Sequence, residues 1–181
     1  VCPTGAIIIK NDSHRLWKEL NQEDTIAVAQ VAPAVRVAVA KEFGYNGENV
    51  MGKIVAALRR IGFNYIFDTS TAADLTVMEE SKEFADRLAN GGKLPLFTSC
   101  CPAWIKYAEN EYPEILPNIS TCRSPMQMFA SVINEKFKGE GKKILSVAVM
   151  PCTAKKGEAA RDEFKDENGK PLVDFVITTQ E

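Results

Sequence analysis

No uninterrupted apolar segment approaches the roughly 20 residues that a membrane helix requires, so nothing in the sequence predicts a transmembrane span. A strong charge of either sign is also missing. With 22 basic against 24 acidic residues and a formal charge of -2, no basic face presents itself to nucleic acid. The single histidine, His14, lies in a polar stretch and reads as a surface residue rather than a ligand. Gly44, Gly47 and Gly52 are scattered and do not form a phosphate-binding fingerprint, which removes a nucleotide site. Five cysteines, an odd number without a recognisable signal sequence and without a Cys-x-x-Cys pair, argue against a secreted disulfide framework. They favour a reducing compartment or metal ligation, and the expected location is cytoplasmic, with the periplasm left open. Repeats and low-complexity linkers are absent too.

What is present is a 181-residue chain, 45% hydrophobic, large enough for one domain with a real core. Strand-like apolar runs alternate with helical patterns: Thr25 to Val31 then Ala34 to Phe43, Asn64 to Asp68 then Ala72 to Leu88, Leu94 to Ser99 then Pro102 to Glu111. A helix over Pro125 to Phe137, a strand over Ile144 to Val149, a polar helix over Ala154 to Phe164 and a strand over Asp174 to Thr178 complete the series. Strands separated by helices of this length imply an α/β fold with a mostly parallel sheet flanked by helices. A boundary is expected near Ile9, before a polar connector from Lys10 to Asp24, and Gly139 to Lys143 reads as a turn. Ala32-Pro33-Ala34, Cys100-Cys101 and Met150-Pro151-Cys152 each fall just past the carboxyl end of an expected strand, the edge where open α/β sheets place their ligands.

Adjacent cysteines such as Cys100 and Cys101 make a poor disulfide, and their side chains point different ways, so each can have its own task. One can turn inward as a cluster thiolate while the other faces a substrate or cofactor. Taken as bare residues, Cys101 and Cys152 would instead be inert core thiols, because free cysteine is among the most buried types. Glu80 and Glu83, three apart on an expected helix, share one face that reads either as a solvated charge run or as a proton path. Cys122 has no role beyond that of a small buried residue.

Thr98-Ser99-Cys100-Cys101-Pro102-Ala103-Trp104 and Met150-Pro151-Cys152-Thr153-Ala154-Lys155-Lys156-Gly157-Glu158 closely resemble the first two active-site motifs of the iron-only hydrogenases. Ala32 to Arg36, Asp74 to Glu80 and Ser124 to Met128 resemble further family segments in the expected order, and Cys2-Pro3-Thr4-Gly5-Ala6-Ile7 resembles the last Cys-Pro of a two-cluster ferredoxin segment. The family's third motif, a late Cys-x-x-x-Cys, has no counterpart, and there is no initiator Met. The expectation is therefore an internal fragment: residues 1–9 as a ferredoxin-like remnant and 10–181 as the N-terminal part of the catalytic domain, inactive by itself.

The resemblance implies roles residue by residue. Cys101 and Cys152 would be two ligands of a 4Fe-4S cubane, with Cys2 ligating a separate ferredoxin-type cluster. A diiron subcluster carrying CO, cyanide and a bridging dithiolate would complete the site in the parent protein. Cys100 would exchange a proton with the bridging amine of that unit, fed by Glu80, Glu83, Arg87 and Ser120. Lys155 would donate to a cyanide and be oriented by Glu158, while Pro33, Ala34, Pro125, Met126 and Met150 would line the pocket. Met126 departs from the pattern, since many members carry Gln there. Expected partners are ferredoxin or another electron-transfer subunit and maturation proteins. The alternative is a non-catalytic relative, in iron-sulfur assembly or hydrogen sensing; a thiol-disulfide redox role for Cys100 and Cys101 is disfavoured by strain.

Overall fold

A computed structural model describes residues 2–45 and 47–181. Among these, β1 (Thr25–Val31), β2 (Tyr65–Asp68), β3 (Lys143–Met150) and β4 (Phe175–Thr178) form one parallel sheet in the order β2-β1-β3-β4. Leaving β1, the chain first builds to one side, through β2, and then returns to the other side with β3. The sheet order therefore reverses between β1 and β3, the position at which open α/β sheets leave a crevice at their carboxyl edge. The register levels that edge. Val31 stands opposite both Asp68 and Val149, and Met150 opposite Thr178.

The central strands read as apolar runs because both faces are covered. Ala27, Ala29 and Val31 of β1 join Leu145, Val147 and Val149 of β3 in the larger core cluster, with Val35 from α2 (Pro33–Glu42), and Ile54 and Leu58 from α3 (Met51–Ile61). Val28 packs in the second cluster with Ala72 of α4 (Ser70–Asn90) and with Phe129 and Ile133 of α6 (Pro125–Lys136). The remaining helices are α1 (Ser13–Leu20), α5 (Pro102–Glu111) and α7 (Ala154–Ala159).

Three expectations are corrected. Leu94 to Ser99 is not a strand of the sheet: Phe97 makes an isolated parallel bridge with Ile119, through Phe97 N to Asn118 O at 2.9 Å and Ser120 N to Phe97 O at 2.7 Å. Pro95 has no N–H to offer a ladder, and the segment's pairing is met by residues 118–120 instead. Cys100 and Cys101 thus reach the rim without following a sheet strand. The Lys10 to Asp24 connector contains α1, whose one buried residue, Leu16, anchors it to the core. The expected helix Ala154 to Phe164 ends at Ala159, and a separate 3-10 turn spans Asp162–Phe164. No helix among the described residues is long and apolar enough to cross a membrane.

Candidate functional site

Helix starts gather at the carboxyl rim. Pro33 opens α2, Ser70 opens α4, Pro125 opens α6 and Ala154 opens α7, each after a loop leaving the sheet's carboxyl edge or packed against it. Between them lies a cavity of about 360 Å³ lined by residues that include Pro33, Ala34, Cys100, Pro125, Met126, Met150, Cys152 and Lys155. Its walls are overwhelmingly apolar, while the positive ends of the surrounding helix dipoles favour negative charge inside it.

Lys155 is the cation at this cavity. Its Nζ donates to Glu158 Oε2 at 2.6 Å and to the Cys100 carbonyl at 2.9 Å, and its side chain is only 14% exposed. An ammonium has three N–H donors. The third finds no partner among the described residues, so Lys155 can still receive an anion. The Cys100 contact also ties the double-cysteine segment to the turn after β3. Cys101 is the N-cap of α5, with extended backbone, and its carbonyl accepts from Ile105 N at 3.0 Å. Cys101 is exposed and Cys152 half-buried, so neither is a core thiol. Behind them Arg161 grips Glu109 at 2.6 Å, joining the end of α5 to the segment after α7.

A second polar assembly sits on α4. Glu83 Oε1 accepts from Arg87 Nη2 at 2.6 Å and Nε at 3.1 Å, while Oε2 accepts from Ser120 Oγ and from Thr121 N, both at 3.0 Å. Burial pushes the Glu83 carboxyl upward, but these donors outweigh it and hold the group below the usual carboxylate range. Cys122 Sγ lies 3.8 Å from Glu83 Oε2, and burial pushes its thiol up. Arg87 further donates to the carbonyls of Lys93, Pro117 and Ile119, which locks the 118–122 loop against the helix. Glu80, one turn earlier, is different. Its Oε1 is buried and finds no hydrogen-bond partner among the described residues.

Residues 25–181 match the family described as iron only hydrogenase large subunit, C-terminal domain. The chain belongs to this hydrogenase family. It is 45% identical over 192 residues to the NADP-reducing hydrogenase subunit HndD of Solidesulfovibrio fructosivorans, covering 100% of this chain and 33% of that protein. It is 36% identical over 200 residues to cytosolic iron-sulfur assembly component 3 of Bos taurus, covering 99% of this chain and 42% of that one. Among solved structures it resembles a variant of apo FeFe hydrogenase HydA1 from Chlamydomonas reinhardtii, with a TM-score of 0.85, 36% identity and coverage of 94% of this chain and 46% of that chain. The chain thus spans between about a third and a half of these relatives.

Against the iron-only hydrogenase expectations, the rim cavity brings together Pro33, Ala34, Cys100, Pro125, Met126, Met150, Cys152 and Lys155, with Glu158 behind the lysine. Cys101 lies beside it on α5. Glu83, Arg87 and Ser120 form the α4 assembly, but no direct hydrogen bond links Glu80 to Ser120 or to Cys100 among the described residues. Cys2 stands apart, in a turn closed by Gly5 N to Cys2 O at 3.2 Å. The Thr4 hydroxyl, with neighbouring backbone N–H groups, lowers its thiol to about 6. Sequence reasoning missed Thr121, which gives Glu83 a backbone donor, and the ion knot of Lys156. That side chain donates to Asp12 Oδ2 at 3.0 Å, Glu181 Oε1 at 3.1 Å and Val176 O at 2.8 Å. Its neighbour Lys155 drew attention through the motif, whereas the partners of Lys156 are far away in sequence.

Proposed function

We propose that this chain is the N-terminal part of a hydrogenase catalytic domain whose complete parent reversibly reduces protons to hydrogen, with electrons entering through ferredoxin-type clusters. The observation that carries this reading is the rim cavity itself. One thiol, one half-buried thiol and one ammonium with a spare donor converge on apolar walls at the sheet's reversal point. Soft thiol donors suit an iron-sulfur cubane, and this chain offers two of the four usually needed, Cys101 and Cys152.

The bound 4Fe-4S cluster and diiron subcluster would supply the electron reservoir and the metal at which protons and electrons combine. The protein's share is binding, orientation and proton supply. Lys155 offers its third N–H to an anionic ligand, with Glu158 and the Cys100 carbonyl fixing its direction. Pro33, Ala34, Pro125, Met126 and Met150 exclude water. Cys100 carries the proton at the cavity wall. Ser120, Glu83 and Arg87 form the outer end of its supply, and Glu80, whose buried Oε1 has no protein partner among the described residues, relays between the two through bridging water. Cys2 would hold a separate electron-transfer cluster. Ferredoxin or another electron-transfer subunit and maturation proteins are the parent's partners, and the cytoplasm its compartment.

The similarity to cytosolic iron-sulfur assembly component 3 supports a second reading, a non-catalytic relative. The test is an anaerobic assay of the matured full-length parent and of residues 1–181, each with a reduced low-potential donor. The parent is expected to evolve hydrogen and the 181-residue chain to evolve none. An iron-replete parent without activity overturns the catalytic reading in favour of the alternative, and an active isolated chain overturns the assignment as a fragment.

A further inference from the structure

Along β1 the side chains of Ile26 and Val28 face α4 and α6, in the cluster that holds Phe129 and Ile133. Alternation puts the next residue on this face at position 30, and it is a glutamine, 0% exposed. An amide buried in the middle of a sheet is costly unless both its ends are satisfied. Both are. Gln30 Nε2 donates to the Met126 carbonyl at 3.0 Å, and Gln30 Oε1 accepts from Thr69 Oγ1 at 3.4 Å. A carbonyl can only accept, so the amide nitrogen must face Met126.

The Met126 carbonyl lies in the first turn of α6, where helix geometry already supplies a donor from four residues on. The bond from Gln30 therefore does not rescue an orphan; it adds a second donor that ties the helix start to the strand. Thr69 stands at the N-cap of α4, yet its side chain caps no helix N–H and is turned toward Gln30. Both partners line the rim cavity. Met126 contributes a flexible thioether to that wall, so rigidity there must come from the backbone that Gln30 holds.

We propose that Gln30 is a positioning residue for the rim cavity: one buried amide, spanning from β1 to the first turns of α6 and α4, fixes Met126 and Thr69 relative to the strands that deliver Pro33 and Cys152. This rests on the reading of the cavity as the seat of the diiron unit. A plain packing residue at this point would be aliphatic, like Ile26 and Val28 on the same face. An amide sets direction and distance where an aliphatic side chain sets only volume.

The test uses the matured full-length parent carrying Gln30→Met, Gln30→Glu, Thr69→Val or Thr69→Ser, with iron content, thermal melting and the infrared bands of the CO and cyanide ligands measured together. Gln30→Met keeps the volume and removes both bonds. It should retain its iron, shift or broaden the CO bands and lose turnover about tenfold or more, as displaced catalytic geometry does. Gln30→Glu should give bands that titrate with pH: a neutral carboxyl can donate to the Met126 carbonyl and an ionised one cannot. Thr69→Val should shift the bands in the same direction by less, and Thr69→Ser should restore them. Lowered melting with unmoved bands in Gln30→Met, or pH-independent wild-type bands in Gln30→Glu, overturns the positioning role. Should Gln30→Met fail to fold, the Gln30→Glu titration and the Thr69 pair decide. Absence of CO and cyanide bands from the wild-type parent would overturn the diiron reading first, and this inference with it.

Discussion

At the rim cavity a cation, Lys155, has two of its three donors engaged and apolar walls around the third; on α4 an anion, Glu83, has both oxygens crowded with donors. Each sits close to a cysteine. Cys100 opens onto the cavity, while Cys122 lies against a carboxylate that is already satisfied. An unfilled donor amid apolar surface is prepared for a partner from outside the chain. A saturated carboxylate takes no partner from outside the chain: Glu83 holds the loop that carries Ser120, and its share in the proposed relay runs through the donors it already has. Burial is similar in the two places and each holds one unit charge, though of opposite sign, so the count of unmade hydrogen bonds is what separates a receiving site from a supporting one.

The contrast breaks first if the two thiols are exchanged in importance. In the matured parent, Cys100→Ala should keep its iron and lose turnover by roughly 10²–10⁴-fold, the scale of positioned proton transfer. Iron loss in that variant would make Cys100 a ligand. Lys155→Met tests the open donor: it should lower cofactor retention and turnover together by about tenfold to a hundredfold, since one charge-assisted bond is worth about 1.5–3 kcal/mol. Equal iron content and turnover would show that the third N–H is never used.

The supporting site should answer in stability rather than in cofactor retention. Arg87→Met leaves Glu83 without its ion pair and should destabilise the chain by about 2–3 kcal/mol, below the 3–5 kcal/mol for a fully buried pair because both side chains keep some solvent contact. Denaturant midpoints measure it. The Glu83 carboxyl is depressed in the folded state, so its contribution is complete above the unfolded value of about 4.3 and drains away as pH falls through the lower folded value. Glu83→Gln should flatten part of that acid limb, with the depressed Asp12, Glu109 and Glu181 keeping the rest. The smallest change belongs to Cys122→Ser, within about 1 kcal/mol and with turnover unaltered, because the carboxylate it touches is already served. A large loss of turnover there would erase the distinction between the two cysteines.

Much of the frame could be read from residue order. Val28 to Val31 and Leu145 to Val149 are predominantly apolar, interrupted only by Gln30 and Ser146, and helices between parallel strands leave few arrangements. α3 was not among the expected helices although Ile54, Leu58 and Ile61 repeat at helical spacing, because Gly44 and Gly47 precede it and Gly52 interrupts its first turn. α1 escaped because it is only eight residues long and lies in a polar stretch, although Leu16 and Leu20 stand at helical spacing. The Leu94 to Ser99 run misled for the opposite reason: it is apolar enough for a strand, but Pro95 and a local bridge removed it from the sheet. At the site, the cysteines and Lys155 announced themselves by motif. The resemblance also grouped Glu83 with Ser120, 37 positions away, but not with Thr121, whose backbone N–H reaches Glu83 from 38 positions away without any motif to mark it. Gln30 passed unremarked although it is the one polar residue between Ile26 and Val31, a signal that asks for a partner without saying which.

The Lys156 knot has a consequence for reach. Asp12 is clasped to α7 one residue from Lys155, and Cys2 lies ten residue steps before it. A fully extended chain covers at most about 3.3–3.6 Å per residue, so anything bound by Cys2 is leashed within roughly 35 Å of the knot. The knot works as a mooring: it sets the outer limit of how far the Cys2 segment can range from the rim cavity. Lys156→Met would loosen the mooring without releasing it, because the Asp12 N–H still donates to Glu181 Oε1 at 2.6 Å.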